Sequence, residues 1–168
     1  MGWLRKLARW RVPLGFACSF VVLWIARPTP TSLALGGAVA LLGEAFRVWA
    51  AGHLEKSREV TSSGPYRITR HPLYLGSTVM ALGIAIAGRH PAVWVIAALY
   101  VVIMIGSAIR SEEAFLRNRF GDDYDAYRSG SLRNEARRFS LERAMRNREW
   151  RAMVGVGLGF ALLGLKLL

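Results

Sequence analysis

The residues of this chain that are best suited to chemistry are one histidine and one pair of adjacent glutamates. His71 follows Arg70 and precedes Pro72, at the point where a polar loop runs into an apolar segment. Glu112 and Glu113 come after the next apolar segment. An imidazole titrates near neutral pH, and a carboxylate can hold a cation or accept a proton. Together these groups could bind a small zwitterion or move a proton.

A short connection makes it possible for these groups to meet. The apolar segments 73–88 and 91–109 are separated only by a turn at residues 89–91, which predicts an antiparallel helical hairpin. The start of the first helix and the end of the second then lie at similar depth, so we expect His71 to neighbour residues 110–113. Arg110 lies at this end of the second helix, either as an anchor at the membrane boundary or as a site residue.

The composition indicates a membrane protein. Hydrophobic residues make up 53% of the 168 residues, and they are gathered into long runs. The candidate membrane spans are 12–26, 31–52, 73–88, 91–109 and 152–168. A helix needs roughly 20 residues to cross the hydrocarbon, so the short first and third spans must recruit flanking residues. We predict an all-α fold: one integral membrane domain, 1–168, with five transmembrane helices, cytoplasmic loops and short interfacial helices.

The distribution of charge predicts the orientation in the membrane. Cations collect before the first span, between the second and third spans, and in 110–151, which places the N-terminus and the candidate site in the cytoplasm. We expect the membrane to be a cell inner membrane. The net charge of +12 fits contact with anionic lipids better than nucleic-acid binding, because the cations lie beside apolar spans without a nucleic-acid motif. Cys18 is the only cysteine, which excludes an intramolecular disulfide and a multi-cysteine metal site. We expect no metal.

Two charged residues fall inside the second predicted span. Glu44 and Arg47 are costly at membrane depth, and their i and i+3 spacing allows them to pair on one helix face. Mutual neutralisation and a role in lining a substrate or cofactor cavity are equally open interpretations.

The C-terminal quarter of the chain has a basic part and an apolar part. Residues 129–151 form a basic interfacial segment, in which 132–150 read as one helix lying along the membrane surface. The last span, 152–168, carries Gly155 and Gly159 at the spacing of close helix packing, either within the molecule or between protomers of a homo-oligomer.

Two blocks of the sequence resemble a known family. The first is Gly-Pro-Tyr-Arg-x-x-Arg-His-Pro-Leu-Tyr-x-Gly at 64–76, and the second is Glu-Glu-x-Phe-Leu-x-x-x-Phe-Gly-x-x-Tyr-x-x-Tyr at 112–127. In this order, and separated by a hydrophobic hairpin, they resemble the isoprenylcysteine carboxyl methyltransferase and phospholipid methyltransferase superfamily of integral membrane enzymes. The resemblance covers about 42–128.

This resemblance implies a cofactor, a substrate class and a set of site residues. It implies that loops at the cytoplasmic helix ends, within a core at 53–128, bind S-adenosylmethionine, and that a lipophilic or lipidated acceptor arrives from the membrane. The residues it assigns to the cofactor are Arg70, His71, Tyr74, Leu75, Gly76, Glu112 and Glu113. The candidate catalytic residues are Arg110, Glu113, Glu44 and Arg47. After residue 127 the chain departs from the apolar ending of the carboxyl methyltransferases, so a carboxylate and an amine acceptor both stay open.

Two other classes of function are open. Membrane sterol reductases that use a nicotinamide cofactor resemble the same blocks, but this chain has Leu73 and Ser77 where they carry Asn and Glu. A non-enzymatic membrane scaffold or carrier could keep the helical hairpins and bind no cofactor.

Overall fold

The computed structural model describes residues 2–56, 58–132 and 137–168, with side chains described from residue 13 onward. Over these ranges the chain is helical and contains no strand, which confirms the all-α prediction. A 3₁₀ turn spans Gly64–Arg67, and a π-helical segment, Val101–Ile105, joins two of the helices. The α-helices are α1 (Gly2–Ile25), α2 (Pro30–Ala51), α3 (Pro72–Gly88), α4 (Pro91–Tyr100), α5 (Gly106–Phe120), α6 (Asp122–Ser129), α7 (Leu141–Arg146) and α8 (Trp150–Leu165).

Two helices are long and apolar enough to cross a membrane. They are α2 and the continuous helix Pro91–Phe120, which comprises α4, the π-helical segment and α5. The apolar parts of α1, α3 and α8 are shorter than the length that this criterion requires. Each of the five predicted spans is therefore helical, while the count of five membrane crossings stays a prediction.

Local sequence signals explain the turn that precedes α2 and the turn between α3 and α4. Thr29 caps α2: its side chain accepts a hydrogen bond from the Ser32 amide, and the Ser32 hydroxyl accepts one from the Thr29 amide. At the other turn, Arg89 ends α3 in the left-handed conformation, and the His90 ring accepts a hydrogen bond from the Ala92 amide. The turn predicted at residues 89–91 is confirmed.

A seam of small residues fixes α3 against α2. A β-carbon on Gly36 would lie 2.4 Å from the Gly83 carbonyl oxygen, and one on Gly43 would lie 2.7 Å from the Gly76 carbonyl oxygen. The two backbones therefore touch at two levels, where no larger residue fits. This seam sets the depth of the first turn of α3, which carries His71 as its N-cap.

The predicted helix over 132–150 is wrong in the part that the structure describes. Residues 137–140 are extended, and α7 begins only after Ser140, whose hydroxyl accepts a hydrogen bond from the Arg143 amide. The segment turns back to complete the C-terminal end of α2. Arg143 donates to the Gly52 carbonyl oxygen at 2.6 Å, and the Asn147 side chain donates to the carbonyl oxygens of Ala51 and Leu54 at 2.9 Å each. Satisfying these carbonyl groups outweighs the helical propensity of a basic run.

Helix α8 packs through its C-terminal half. Leu163 is buried with Ala26 and Ala87, and Lys166 donates to three carbonyl oxygens at the end of α1. A β-carbon on Gly155 or Gly159, by contrast, would meet no described atom within 4 Å. Close packing of this glycine pair within the molecule is therefore not observed, and packing between protomers stays a prediction.

Candidate functional site

The centre of the candidate site is a contact between His71 and Glu113. The Nε2 atom of His71 lies 3.1 Å from the Oε1 atom of Glu113, within hydrogen-bonding distance. His71 precedes the first turn of α3, and Glu113 lies on α5 beyond the apolar part of the helix. The hairpin turn brings these two helix ends to the same level, as the sequence predicts.

The neighbours of His71 in sequence divide into site residues and packing residues. Arg70 adds a cation, with its Nη1 atom 3.8 Å from the same Glu113 oxygen, and the Tyr74 ring centre lies 6.1 Å from that of His71. Leu75 is 45% exposed. Gly76 is buried, and a β-carbon there would lie 2.5 Å from the Arg47 side chain, so this glycine makes room for α2.

The other predicted residues of α5 lie around the same contact. Glu112 is half-buried, and its charge acts on Tyr66 of the 3₁₀ turn. Burial, together with this carboxylate, raises the pKa of Tyr66. Arg110 is exposed one helical turn before Glu113. Both glutamates and Arg110 thus lie in the first half of α5, but Arg110 makes no described ion pair.

Helix α6 closes one side of the site with two tyrosines. Tyr127 donates its hydroxyl to the Tyr66 carbonyl oxygen at 2.8 Å, and burial raises the pKa of Tyr127 to about 12. Tyr124 is only 3% exposed, and its hydroxyl has no hydrogen-bond partner among the described residues. Burial and the nearby Glu113 carboxylate raise the pKa of Tyr124. Both phenols therefore stay protonated near neutral pH, and Tyr124 has an unused donor.

The Glu44 and Arg47 pair is weaker than the sequence suggests, because Arg47 has a better partner. Their charged atoms are 3.9 Å apart, whereas the Arg47 Nε atom donates to Glu149 at 2.6 Å. Arg47 also donates to the Leu73 carbonyl oxygen at 3.1 Å and to the Ser77 hydroxyl. Its guanidinium thus ties α2 to the first turn of α3 and to the residue that precedes α8.

Glu44 remains the unexplained charge of this region. It is 6% exposed, and neither carboxylate oxygen has a hydrogen-bond partner among the described residues. A buried polar group without a partner is costly and is often explained by a ligand, a water or a proton. Glu44 therefore stays a candidate for binding a polar group, whereas Arg47 is occupied by protein partners.

Sequence reasoning missed two of these residues. Glu149 lies far along the chain from Arg47, in a segment predicted to lie flat on the membrane, and no local pattern links the two. Tyr124 is not among the predicted site residues, because aromatic residues are frequent in interfacial helices and most often serve packing there. Its only signal was its place between the acidic pair and Tyr127 in the second sequence block.

The chemistry available at this site is that of mixed charges. Glu112 and Glu113 can hold a cationic group, Arg70 can hold a carboxylate, and Tyr124 can donate a hydrogen bond. The His71 ring, held by Glu113 on one nitrogen, has its other nitrogen available to a ligand. A zwitterionic ligand with an aromatic part matches these groups, because Tyr66 and Tyr74 lie beside them.

Comparison with known proteins gives a family match over most of the chain. The family model described as phospholipid methyltransferase matches residues 10–123, which run from within α1 through α5 and include both His71 and Glu113. No solved structure matches the chain significantly.

Several curated relatives are 30% to 34% identical to the chain over the aligned regions. The cobalt-zinc-cadmium resistance protein CzcN of Cupriavidus metallidurans is 30% identical over 122 residues, 68% of this chain and 56% of the relative. The nickel-cobalt-cadmium resistance protein NccN of Alcaligenes xylosoxydans xylosoxydans is 34% identical over 105 residues, 60% of this chain and 48% of the relative. The protein-S-isoprenylcysteine O-methyltransferase of Schizosaccharomyces pombe is 30% identical over 91 residues, 54% of this chain and 39% of the relative. The chain thus spans about half the length of the curated relatives it matches.

Proposed function

Because this chain belongs to the phospholipid methyltransferase family, we propose that it transfers a methyl group from S-adenosylmethionine to a lipophilic or membrane-associated acceptor. The single observation that carries this proposal is the contact between His71 and Glu113 at 3.1 Å. It joins the two sequence blocks that resemble membrane methyltransferases, at one end of the α3 and α4–α5 hairpin. The methyltransferase names among the relatives add support.

The charged groups of the site fit the cofactor by their chemistry. S-adenosylmethionine carries an ammonium, a sulfonium and a carboxylate, besides an adenine ring. Glu112 and Glu113 would hold the cationic end, Arg70 would hold the carboxylate, and Tyr74 offers an aromatic face. The unpartnered Tyr124 hydroxyl supplies a further donor in the same place.

The protein's task in this reaction is alignment and control of water. When bound, the cofactor supplies an electrophilic methyl group, whose bond to sulfur breaks as the acceptor oxygen or nitrogen forms its bond to carbon. The α2–α3 seam fixes the level of His71, and the hydrogen bond to Glu113 fixes the orientation of its ring. Burial of Tyr66 and Tyr124 keeps this side of the site partly dry, which favours a reaction that neutralises charge.

The acceptor decides whether the chain must also move a proton. A carboxylate acceptor attacks as an anion and needs no base. An amine acceptor must first lose a proton, and Glu113, His71 or the buried Glu44 could take it. In this proposal Arg110, exposed beside the acidic pair, meets an anionic acceptor as it arrives, and Arg47 supports catalysis by holding α3 in place.

The proposal includes an arrangement in the membrane. All five apolar helices cross a cell inner membrane, with the N-terminus and the His71–Glu113 contact on the cytoplasmic side. The two helices that are long and apolar enough to span support this arrangement, as does the excess of cations around the site. A reporter fused after residue 168, which the proposal places outside, tests the orientation.

Calorimetry on the detergent-purified full chain tests the proposed cofactor. We expect S-adenosylmethionine to bind and NADPH not to bind. Glu113→Gln should weaken S-adenosylmethionine about tenfold or more, since it removes a charge-assisted contact. The matched control is Glu142→Gln, an exposed glutamate on α7, which should leave the affinity unchanged. Binding of NADPH alone would identify a reductase, and binding of neither cofactor would favour a scaffold.

A further inference from the structure

A polar cavity lies beside the candidate site, and its charge differs from the charge of that site. The cavity has a volume of about 380 Å³ and opens between the loop that precedes α3 and the C-terminal end of α6. Its charged lining residues are Arg67, Arg70 and Arg128, and no acidic residue is among the described residues that line it. We call it the arginine cavity. Three cations that face one space favour an anion there.

The three arginines are only partly compensated by the protein. Arg70 lies 3.8 Å from Glu113, at the limit of an ion pair. Arg67 and Arg128 are exposed, and neither has an ion pair with a carboxylate of the described residues. Guanidinium groups match the geometry of phosphate oxygens with two parallel hydrogen bonds each. The arrangement therefore suits an anion with several oxygen atoms.

The same loop carries an apolar side chain that points away from the protein interior. Ile68 is 71% exposed, although it sits between Arg67 and the polar residues that lead into α3. An exposed aliphatic residue flanked by cations, at the end of an apolar helix, is typical of a segment that enters the headgroup region of a bilayer. A soluble anion would give Ile68 no partner.

The proposed cofactor does not fit this cavity. S-adenosylmethionine carries two positive groups and one negative group, so three arginines would repel it on balance. The acidic pair on α5 lies outside the lining of the arginine cavity. The two sites are thus adjacent and share Arg70, but only the candidate site also carries the acidic pair.

We propose that the arginine cavity binds the phosphate of an anionic membrane lipid while Ile68 enters the acyl region of the same leaflet. The bound lipid would hold the loop that ends at His71 against α6. The proposed lipid phosphate is held mainly by Arg67 and Arg128, while Arg70 borders both this cavity and the candidate site. The proposal does not depend on the proposed methyl transfer, and its test is made without the methyl donor.

Binding of a short-chain lipid tests the proposal on the full chain in uncharged detergent. The probe is dihexanoyl phosphatidylglycerol, and binding is measured by native mass spectrometry without S-adenosylmethionine. The variant Arg67→Gln/Arg128→Gln should bind the probe at least tenfold more weakly. The matched control, Arg58→Gln/Arg138→Gln, removes the same charge from exposed positions outside the cavity and should change the affinity less than twofold. Arg67→Lys/Arg128→Lys should recover part of the loss.

Two further measurements separate the source of the phosphate and the identity of the site. Ile68→Ser should weaken the lipid but leave the binding of inorganic phosphate unchanged. If inorganic phosphate binds as tightly as the lipid, the site serves a soluble anion and the proposal is wrong. The proposal is also overturned if both double glutamine variants lose the lipid equally, or if the cavity variant keeps the lipid and loses S-adenosylmethionine. A thermal unfolding curve for each variant shows that the fold is intact.

Discussion

Two contacts between a basic side chain and a carboxylate lie at the same end of the helices, and their surroundings differ. Arg47 and Glu149 have side chains 18% and 5% exposed, and the arginine makes two further hydrogen bonds to α3. His71 and Glu113 are 16% and 37% exposed, and the described contacts of Glu113 all use one oxygen atom. The first contact is saturated by the protein, whereas the second keeps an open carboxylate oxygen for a ligand.

The difference shows how to separate structural from functional charges when both lie near a membrane surface. A buried charge whose partners are all protein atoms holds elements together, and removing one partner leaves the other unpaired. A partly exposed charge with unused hydrogen-bonding capacity contributes little to stability and can exchange water for a ligand. The comparison thus predicts opposite effects on stability and on binding.

The largest expected effect comes from breaking the buried contact. Arg47→Met leaves Glu149 buried and unpaired, so the free energy of unfolding should fall by about 3–5 kcal/mol. The measurement is denaturant or thermal unfolding of the purified protein in detergent. Arg47→Met/Glu149→Met should recover most of the loss, because both charges are then gone. A double variant as unstable as the single one would show that the pair is not the cause.

Loss of the contact between His71 and Glu113 should affect ligand binding more than stability. His71→Ala should weaken S-adenosylmethionine about tenfold, while the free energy of unfolding falls by no more than about 1 kcal/mol. The matched control is His90→Ala, since His90 also precedes a proline at a helix start but lies at the opposite turn. His90 caps its helix by a side-chain hydrogen bond and His71 does not. The control should therefore lose about 1 kcal/mol of stability and no affinity.

A third cluster of charges sharpens the comparison through pH. Partial burial disfavours ionised Glu55, but the hydrogen bond from Arg143 and the charges of Arg146 and Arg137 outweigh it and hold the pKa of this carboxyl below its ordinary value. A lowered pKa means that the stabilisation is present above the unfolded value of about 4.3 and is lost as the pH falls through the folded value.

Glu55→Gln should therefore lower the free energy of unfolding at pH 7 by about 1 kcal/mol. The difference from the unmodified protein should shrink as the pH falls below about 4. Unfolding curves at a series of pH values measure it. A difference that stays constant from pH 7 to pH 3 would mean that the charge of Glu55 has no part in it.

The smallest effect is expected far from both contacts. Gly155→Leu places a side chain where no described atom lies within 4 Å of the β-carbon. The free energy of unfolding of the monomer and the affinity for S-adenosylmethionine should change by less than about 0.5 kcal/mol. If the glycine pair joins two protomers, the same variant should shift the mass measured by light scattering from dimer to monomer. A monomeric mass for the unmodified protein would contradict the predicted homo-oligomer.

Much of the fold could be predicted from the sequence because its signals are local. Apolar runs bounded by proline, threonine and arginine gave three helices whose ends the structure moves by only a few residues. The first span is lengthened by α1, which begins at Gly2, and the fourth continues to Phe120. The resemblance to the methyltransferase superfamily is confirmed by the family match. The meeting of His71 with Glu113 followed from the length of one turn.

The interactions that the sequence did not predict are those between distant segments. The basic run after α6 contains no sign that Ser140 and Asn147 would return to the end of α2, because that return is driven by carbonyl groups on another element. The choice of Glu149 over Glu44 as the partner of Arg47 depends on where α8 begins. Such partners are set by tertiary packing, which leaves no periodic pattern in either segment.

The glycine seam between α2 and α3 also determines which part of the molecule can yield to a ligand. Sliding α3 along α2 would bring backbone atoms of the two helices into collision. The start of α3, which carries His71, is therefore fixed relative to α2. Helix α5 has no buried residue, and none of its glycines meets a described atom of another helix as the glycines of the seam do. We therefore expect the distance between the His71 imidazole and the Glu113 carboxylate to increase through movement of α5. The helix that carries the Glu113 carboxylate is therefore also the helix that would be displaced when a ligand enters.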